Sequence, residues 1–373
     1  MRNVATAVLA AALAGIGGVA SAQDIAVATA GPMTGQYAVF GEQMRRGAEL
    51  AIENINAKGG VLGRKLKLEV GDDACDPKQA VAVANQLASK KVALVAGHFC
   101  SSSSIPASAV YNENGILQIS PASTNPALTD DAAKKGWKNV FRTCGRDDAQ
   151  GLVAGKFLAN RYKGKKVAII HDKSAYGKGL ADETKKAMNA AGLKEAMYEA
   201  ISQGDKDFTA LITKMKSQKI EAMYLGGYHT EGGLLVRQAK EQGLNALLVS
   251  GDALVTEEFW KITGKSGEGT LMTFAPDPRK EAAAKDVVAQ FKTKGFDPEG
   301  YTLYTYAAIQ VWADAAAKAK SLKTADVAKV LRGAKHKSVI GTLDFNAKGD
   351  VVNPIYVFYS WKDGKYTEIG SGA

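Results

Sequence analysis

The chain has 373 residues, carries 48 Lys and Arg against 38 Asp and Glu for a formal charge of +10, and is 46% hydrophobic with 39 Gly, 9 Pro and 3 Cys. This composition excludes a disordered, collagen-like or disulfide-dense chain, and the length suits about two domains, each able to bury its own core. No apolar run approaches the roughly 20 residues of a membrane span, while the positive surplus raises nucleic acid or an anionic surface as partners to be tested against the rest of the chain.

In chain order, Met1–Ala22 (MRNVATAVLAAALAGIGGVASA) comes first. Arg2 and the amino group precede an Ala/Val/Leu-rich stretch broken by glycines, and the stretch ends in Ala20-Ser21-Ala22, the small-x-small pattern of signal-peptidase cleavage. This predicts a signal peptide over residues 1–22, cleaved after Ala22, and a periplasmic chain starting at Gln23. No Cys follows the cleavage point, as a lipoprotein would need. Export argues against a role on DNA or RNA.

Ile25–Ala30 (IAVATA) reads as a buried strand ended by Gly31-Pro32. Over Phe40–Ala57, residues Met44, Ala48, Ala51, Ile52 and Ile55 share one helical face, and Gly59-Gly60 stops the helix. Lys65–Val70 alternates with period two, as a half-exposed strand does. Asp76-Pro77 is a cap followed by proline at the first helical position, opening a helix to about Ser89. Val92–Ala96 is the next strand, Ile105–Asn112 a helix and Leu117–Ser120 a strand. Past residue 140 the rhythm repeats, with strands at Lys166–His171, Glu221–Leu225, Ala246–Ser250 and Thr270–Phe274. Helical patterns lie between them at Gly151–Tyr162, Gly179–Ala191, Phe208–Gln218 and Glu231–Gln242. Helices at Lys280–Lys294 and Leu303–Lys320 follow, and Gly341–Phe345 and Val351–Trp361 read as a hairpin around a turn at Asn346–Asp350. Strands separated by helical crossovers imply parallel sheets covered on both faces. Two such runs, either side of about residue 142, predict two α/β lobes.

Cys75 and Cys100 each follow a predicted strand. A bridge between them would close a loop of about 26 residues, worth about 3.5 kcal/mol in the chain-entropy model, and an oxidising compartment permits it. Two separate core thiols are the alternative. Cys144 is left over and reads as a small buried residue. No C-x-x-C or Cys/His cluster suggests a metal site, and neither metal nor cofactor is expected.

In open α/β sheets ligands bind beyond the C-terminal ends of the strands. After Val92–Ala96, the segment Gly97-His98-Phe99-Cys100 leads into four serines, Ser101–Ser104, that open a helix. Hydroxyls and free N–H groups there form an anion site without a positive side chain, although serines at a helix start also serve as plain caps. After Leu117–Ser120, the loop Pro121–Pro126 offers carbonyls and hydroxyls. Tyr228 follows Gly226-Gly227, and Asp252 follows the strand Ala246–Ser250, where a bound cation would need an anion. Together these give a carboxylate site in one lobe and an ammonium site drawing on both. An exported hydrolase is the alternative from another class, but His98, His171, His229 and His336 belong to no G-x-S-x-G or H-E-x-x-H pattern. No G-x-G-x-x-G follows the first strand. The chain does not read as an enzyme.

The stretches GPMTGQYAVFGEQMRRGAELAIENINAKGGVLGRKL, DDACDPKQAVAVANQLASKKV, GHFCSSSSIPAS, ISPASTNPALT, FRTCGRDDAQG, AIIHDKSAYGKGLA, GDKDFTALI, YLGGYHTEGG and TYAAIQ occur in that order along the mature chain. With them the sequence resembles the periplasmic leucine/isoleucine/valine-binding proteins of ABC importers, and DDACDPKQAVAVAN together with HxCSSS is the most specific part. The resemblance implies an α/β type I periplasmic binding protein fold: two doubly wound parallel-sheet lobes joined by a three-segment hinge. The lobes would interleave, residues 23–142 with 276–355 and residues 143–275 with 356–373, crossing near 142, 275 and 355.

The resemblance further implies a Cys75–Cys100 disulfide beside the pocket. Ser101 (hydroxyl and N–H) and the Thr124 N–H would hold the ligand carboxylate. The Ala122 carbonyl and Thr124 hydroxyl would help hold the ammonium, with Tyr228 and Asp252 closing over it from the second lobe. Phe40, Phe99, Tyr176 and Tyr301 would line the side-chain pocket. This chain departs from the well-studied members in having Asp252 for Glu, Phe40 for Trp, and Ala122-Ser123 ahead of Thr124. The implied function is capture of branched-chain or related aliphatic amino acids by hinge closure, by a monomer without nucleic acid, and delivery to a membrane ABC permease. Binders of another small amino acid or amide, such as γ-aminobutyrate, urea or a short amide, on the same scaffold are the nearer alternative. Asp252 and Ser101 favour a zwitterion, whose two charges must each be desolvated and re-paired. Splitting those charges between lobes couples binding to closure.

Overall fold

The structure is a computed structural model that describes residues 23–370. The predicted signal peptide at 1–22 lies outside the described residues. The first run of elements is β1 (Ile25–Gly31), α1 (Ala38–Ala57), β2 (Leu66–Asp72), α2 (Pro77–Ser89), β3 (Leu94–Gly97), α3 (Ser101–Glu113), β4 (Leu117–Ser120), α4 (Ala127–Lys134) and β5 (Val140–Arg142). Its strands form a five-stranded sheet in the order β2-β1-β3-β4-β5, parallel throughout. Strand β1 pairs with β2 from Ile25↔Leu66 to Gly31↔Asp72 and with β3 on its other side. Strands β3 and β4 are buried along their whole length, which is why they read as continuous apolar runs rather than as alternation.

The second run is α5 (Asp147–Arg161), β6 (Val167–His171), α6 (Ala175–Ala190), β7 (Met197–Ala200), α7 (Thr209–Ser217), β8 (Ala222–Gly226), α8 (His229–Glu241), β9 (Leu247–Ser250), α9 (Glu257–Thr263) and β10 (Leu271–Phe274). The chain then returns to the first sheet with α10 (Lys285–Thr293), α11 (Thr302–Ala319), α12 (Thr324–Gly333) and the small hairpin β11 (His336–Ser338) and β12 (Gly341–Leu343). It ends in β13 (Val357–Lys362) and β14 (Lys365–Gly370). The second sheet has seven strands in the order β14-β13-β10-β9-β8-β6-β7, with β13 and β14 added antiparallel at one edge. The chain thus passes between the sheets after β5, after β10 and before β13. Two doubly wound lobes with a triple crossing are what the family resemblance implied.

The C-terminal hairpin expectation needs correction. Gly341–Leu343 pairs backwards with His336–Ser338, while Val357–Lys362 joins the second sheet. Between them the predicted pairing survives as a single bridge, Phe345↔Val351. The Asn346 side chain accepts from the N–H groups of Lys348, Gly349 and Asp350 and tightens the turn. Pro354 then breaks the extended run, because it can donate no ladder hydrogen bond.

Close helix packing sets where the site elements begin. On α5, a Cβ at Gly151 would lie 2.7 Å from the Thr184 nitrogen of α6, and one at Gly155 would lie 2.6 Å from the Met188 nitrogen. Only glycine admits this approach, and it holds α5 side by side with the second half of α6. In the first lobe, α1, α10, α11 and α12 cover one sheet face around Trp312, Phe291 and Phe141, and α2 and α3 cover the other around Val83, Leu87 and Tyr111. The Asp76 side chain accepts from the Gln79 N–H at 2.7 Å with Pro77 first in α2, as the sequence predicts.

Candidate ligand-binding site

Strand β3 ends at Gly97, and Cys100, in extended conformation, caps α3 so that Ser101 is its first residue. The Cys75–Cys100 disulfide ties this cap to the loop after β2, with Cα atoms 5.5 Å apart. Ser101 is buried and its Oγ accepts from the Asn125 N–H at 3.2 Å, leaving its own proton free to donate. The loops after β3 and β4 are stitched together by hydroxyls. Ser120 Oγ donates to the His98 carbonyl at 2.7 Å and accepts from the Ser123 N–H at 2.9 Å, while Ser123 Oγ donates to the Phe99 carbonyl at 2.9 Å. Buried Arg142 donates to the Ser123 carbonyl at 2.6 Å and the Asn125 carbonyl at 3.1 Å, and pairs with Asp350 at 2.8 Å. These bonds clamp the backbone on either side of Thr124, whose own hydroxyl is buried without a partner.

The facing half comes from the ends of β6, β8 and β9. Tyr176 lies in the first turn of α6, Tyr228 caps α8, and Asp252 opens a short 3₁₀ turn after β9. The Tyr176 hydroxyl donates to one Asp252 oxygen at 3.0 Å, and the Tyr301 hydroxyl, from the entrance of α11 in the first lobe, donates to the other. Burial pushes the Asp252 carboxyl above its ordinary range, against the pull of the Tyr301, Gln150 and Tyr176 side chains. The aromatic rings form one cluster: Phe40 stacks on Phe99 at 4.3 Å, Phe99 meets Tyr301 edge-on at 5.4 Å, and Tyr228 lies 5.1 Å from Tyr176. Ala122 packs into the same buried cluster. The structure therefore brings the predicted residues of both lobes to one place. Their rim is closed. Asn125 Nδ2 donates to the Ala175 carbonyl at 2.5 Å, and Glu231 accepts from Gln36 Nε2 at 3.1 Å.

A family model described as periplasmic binding protein matches residues 24–365 of this chain. The chain belongs to the periplasmic binding protein family. Among curated members, a Leu/Ile/Val-binding protein homolog 1 of Brucella suis is 48% identical over 363 residues, covering 96% of each chain. An amino acid binding protein of Pseudomonas aeruginosa is 50% identical over 350 residues, covering 93% of this chain and 92% of its own. Among solved structures, the leucine binding protein LivK of Thermotoga maritima superposes with a TM-score of 0.84 at 27% identity, covering 92% of this chain and 97% of its own. LivJ of Streptococcus pneumoniae, in complex with isoleucine, gives a TM-score of 0.84 at 26% identity, covering 93% and 99%.

Several cleft residues of this periplasmic binding protein escaped the sequence reading. Glu231 is fully buried, and its carboxylate accepts from the Gly204 N–H at 2.8 Å and faces the Tyr37 hydroxyl at 3.3 Å. Gln150 donates to Thr273 at 3.0 Å. Asp147 is buried, its N–H donates to the Thr124 carbonyl at 2.9 Å, and neither carboxylate oxygen has a partner. Asp147 and Gln150 stand three apart on α5, the spacing that shares a helix face, and that spacing was the available signal. His98 is structural: its ring bridges Asp73 at 2.5 Å and the Tyr111 hydroxyl at 2.8 Å. Cys144 is free and buried, and burial pushes its thiol far above the usual range. Among the described residues, no group of three or more His, Cys, Asp or Glu is placed to hold a metal ion, and no helix is long and apolar enough to cross a membrane.

Proposed function

We propose that this protein captures branched-chain or closely related aliphatic amino acids outside the cytoplasm by closing two lobes over them, and hands them to an ABC permease. The observation that carries the reading is Asp252, a buried carboxylate bonded by a tyrosine from each lobe and set in the same cleft as the uncharged donors at the start of α3. Such a cleft matches a zwitterion, with an anion for its ammonium and N–H and O–H donors for its carboxylate. Ser101 and Thr124 hold the carboxylate, and Ala122, Thr124, Tyr228 and Asp252 hold the ammonium. Phe40, Phe99, Tyr176 and Tyr301 surround the side chain.

The moving bodies are residues 23–142 with 276–355 and residues 143–275 with 356–373, and residues 1–22 direct export and are removed after Ala22. The protein works as a monomer and catalyses no reaction. A thermal-shift screen of the unfolded and refolded mature chain against the twenty amino acids, γ-aminobutyrate and simple amides tests the reading, since a ligand stabilises by RT ln(1 + [L]/Kd). Leucine, isoleucine or valine should give the largest shifts. Shifts with neutral amides alone would overturn the zwitterion assignment.

A further inference from the structure

The Asp147 carboxylate has no role in the site as assigned above, yet it is built into the same cleft. It lies in the first turn of α5, directly after the first crossing between the lobes, and its N–H donates to the carbonyl of Thr124 across the cleft at 2.9 Å. Its side chain is fully buried and both oxygens lack a hydrogen-bond partner. The hydroxyls of Thr124, Tyr224 and Tyr228 are likewise buried and unpartnered. One turn further along α5, the Gln150 amide sits against Gly251 and Tyr176. A Cβ at Gly251 would come within 3.0 Å of Gln150 Nε2 and 2.7 Å of the Tyr176 hydroxyl that holds Asp252. Asp147 and Gln150 therefore present one helix face toward Asp252.

The nearby cations are engaged elsewhere. Arg142 is turned to Asp350 and to the carbonyls of Ser123 and Asn125. Arg146 is bound to Asp130, Asp148 and Asp350. Asp252, for its part, already accepts a phenol on each oxygen. A primary ammonium brings three N–H donors into a dry cleft, and each needs an acceptor.

We propose that Asp147 is a second carboxylate for the ligand's ammonium group, shared with Asp252, and that it makes the pocket demand a full positive charge at that end. The inference rests on the amino-acid-binding reading above. Burial first, and then the charge of Asp252, push the Asp147 carboxyl well above its ordinary range against the weaker pull of the Thr124 side chain and of Arg142, as befits a carboxylate with no cation in contact with it. A purely structural role is the competing account, because an acid in the first turn of a helix also complements the helix dipole.

Calorimetry on Asp147→Asn with two ligands separates them: L-leucine, and the 2-hydroxy acid of the same carbon skeleton, which replaces the ammonium by a hydroxyl. The Asn variant should bind leucine about tenfold or more weakly, the usual loss for a bond to a charged group, and bind the hydroxy acid as well as the wild type or better. Equal losses for both ligands, or no loss for leucine, would overturn the proposal. The melting temperature of the ligand-free variant is a second readout. Removing an unpartnered buried acid should leave it unchanged or raise it, whereas the dipole role requires it to fall. Asp147→Glu, which keeps the charge, should retain the preference for leucine, and loss of that preference counts against the proposal even if the Asn variant folds poorly. Failure of the wild-type chain to bind leucine would overturn the functional reading as well, whereas leucine binding indifferent to Asp147→Asn overturns this inference alone.

Discussion

Tyr301 donates its phenolic proton to Asp252 from the opposite lobe. Tyr301 is fixed at the entrance of α11, where its backbone N–H donates to Gln43 Oε1 at 3.0 Å. Asp252 belongs to the turn after β9 and keeps Tyr176 as a donor from its own lobe. Opening the cleft removes one donor and leaves the other. The carboxylate is thus oriented before closure and completed by it, so a contact made only in the closed state biases the equilibrium toward that state.

Replacing Asp252 by Ala strands a buried ammonium. We expect a loss of about 3–5 kcal/mol in leucine binding, the usual cost of breaking a buried charge pair. Isothermal titration calorimetry measures it, and affinity near that of the wild type would remove Asp252 from the site.

Ser101→Ala should cost less, about 1.5–3 kcal/mol for one bond to a charged group. Its Oγ already accepts from Asn125, so the hydroxyl proton is what the ligand carboxylate would lose. Unchanged affinity for leucine would mean that the carboxylate lies elsewhere.

At the rim, Tyr37 and Gln36 of the first lobe meet Glu231 of the second, with the Tyr37 hydroxyl 3.3 Å from the carboxylate. Tyr37→Phe removes that contact and keeps the ring, which lies 4.4 Å from Tyr228. Because the contact forms only on closure, ligand release should quicken by roughly threefold to tenfold with little change in the association rate, as one hydrogen bond of about 1 kcal/mol allows. Stopped-flow fluorescence separates the two rates, and a change confined to association would contradict a closed-state role.

Glu299 links closure to pH. It precedes α11 in the first lobe and accepts from Thr256 Oγ1 at 3.2 Å, the Glu257 N–H at 3.3 Å and the Tyr366 hydroxyl at 3.3 Å, all in the second. Burial, aided by the Glu257 and Asp297 charges, pushes it from an ordinary 4.5 to about 7. A carboxyl raised in the closed form favours closure fully below its open-state value, and that contribution is lost as pH rises through about 7. Binding should therefore strengthen as pH falls from about 8 to 5.5, by at most about one log unit per pH unit from this group. Glu299→Gln should flatten that part of the profile, and an identical slope in the variant would exclude Glu299 as its source.

Strand rhythm and lobe count were legible because buried parallel strands announce themselves as short apolar runs. Leu117–Ser120 has the boundaries the sequence predicts. The site was less legible, for a local reason. The serines Ser101–Ser104 were read as opening a helix, as α3 shows, but helices expected from Gly151 and Gly179 begin one turn earlier, as α5 at Asp147 and α6 at Ala175. Each of these first turns faces the cleft, where polar groups replace the apolar stripe that marks a helix face against the core. Those turns carry Ser101, Asp147 and Tyr176. Ser101 was found through its place at a helix start after a strand and Tyr176 through the family's motifs, whereas Asp147, quoted within FRTCGRDDAQG but given no role, was not.

Cys100 is both one end of the disulfide and the residue that caps α3. The cross-link therefore fixes the backbone where α3 begins at Ser101, and oxidation holds that side of the cleft in place. In a reducing compartment the two sulfurs are separate thiols, and the start of α3 loses that tether. On the export route proposed above, the tether would form only after the chain has left the cytoplasm, so the cleft would be finished away from the cell's own amino acids.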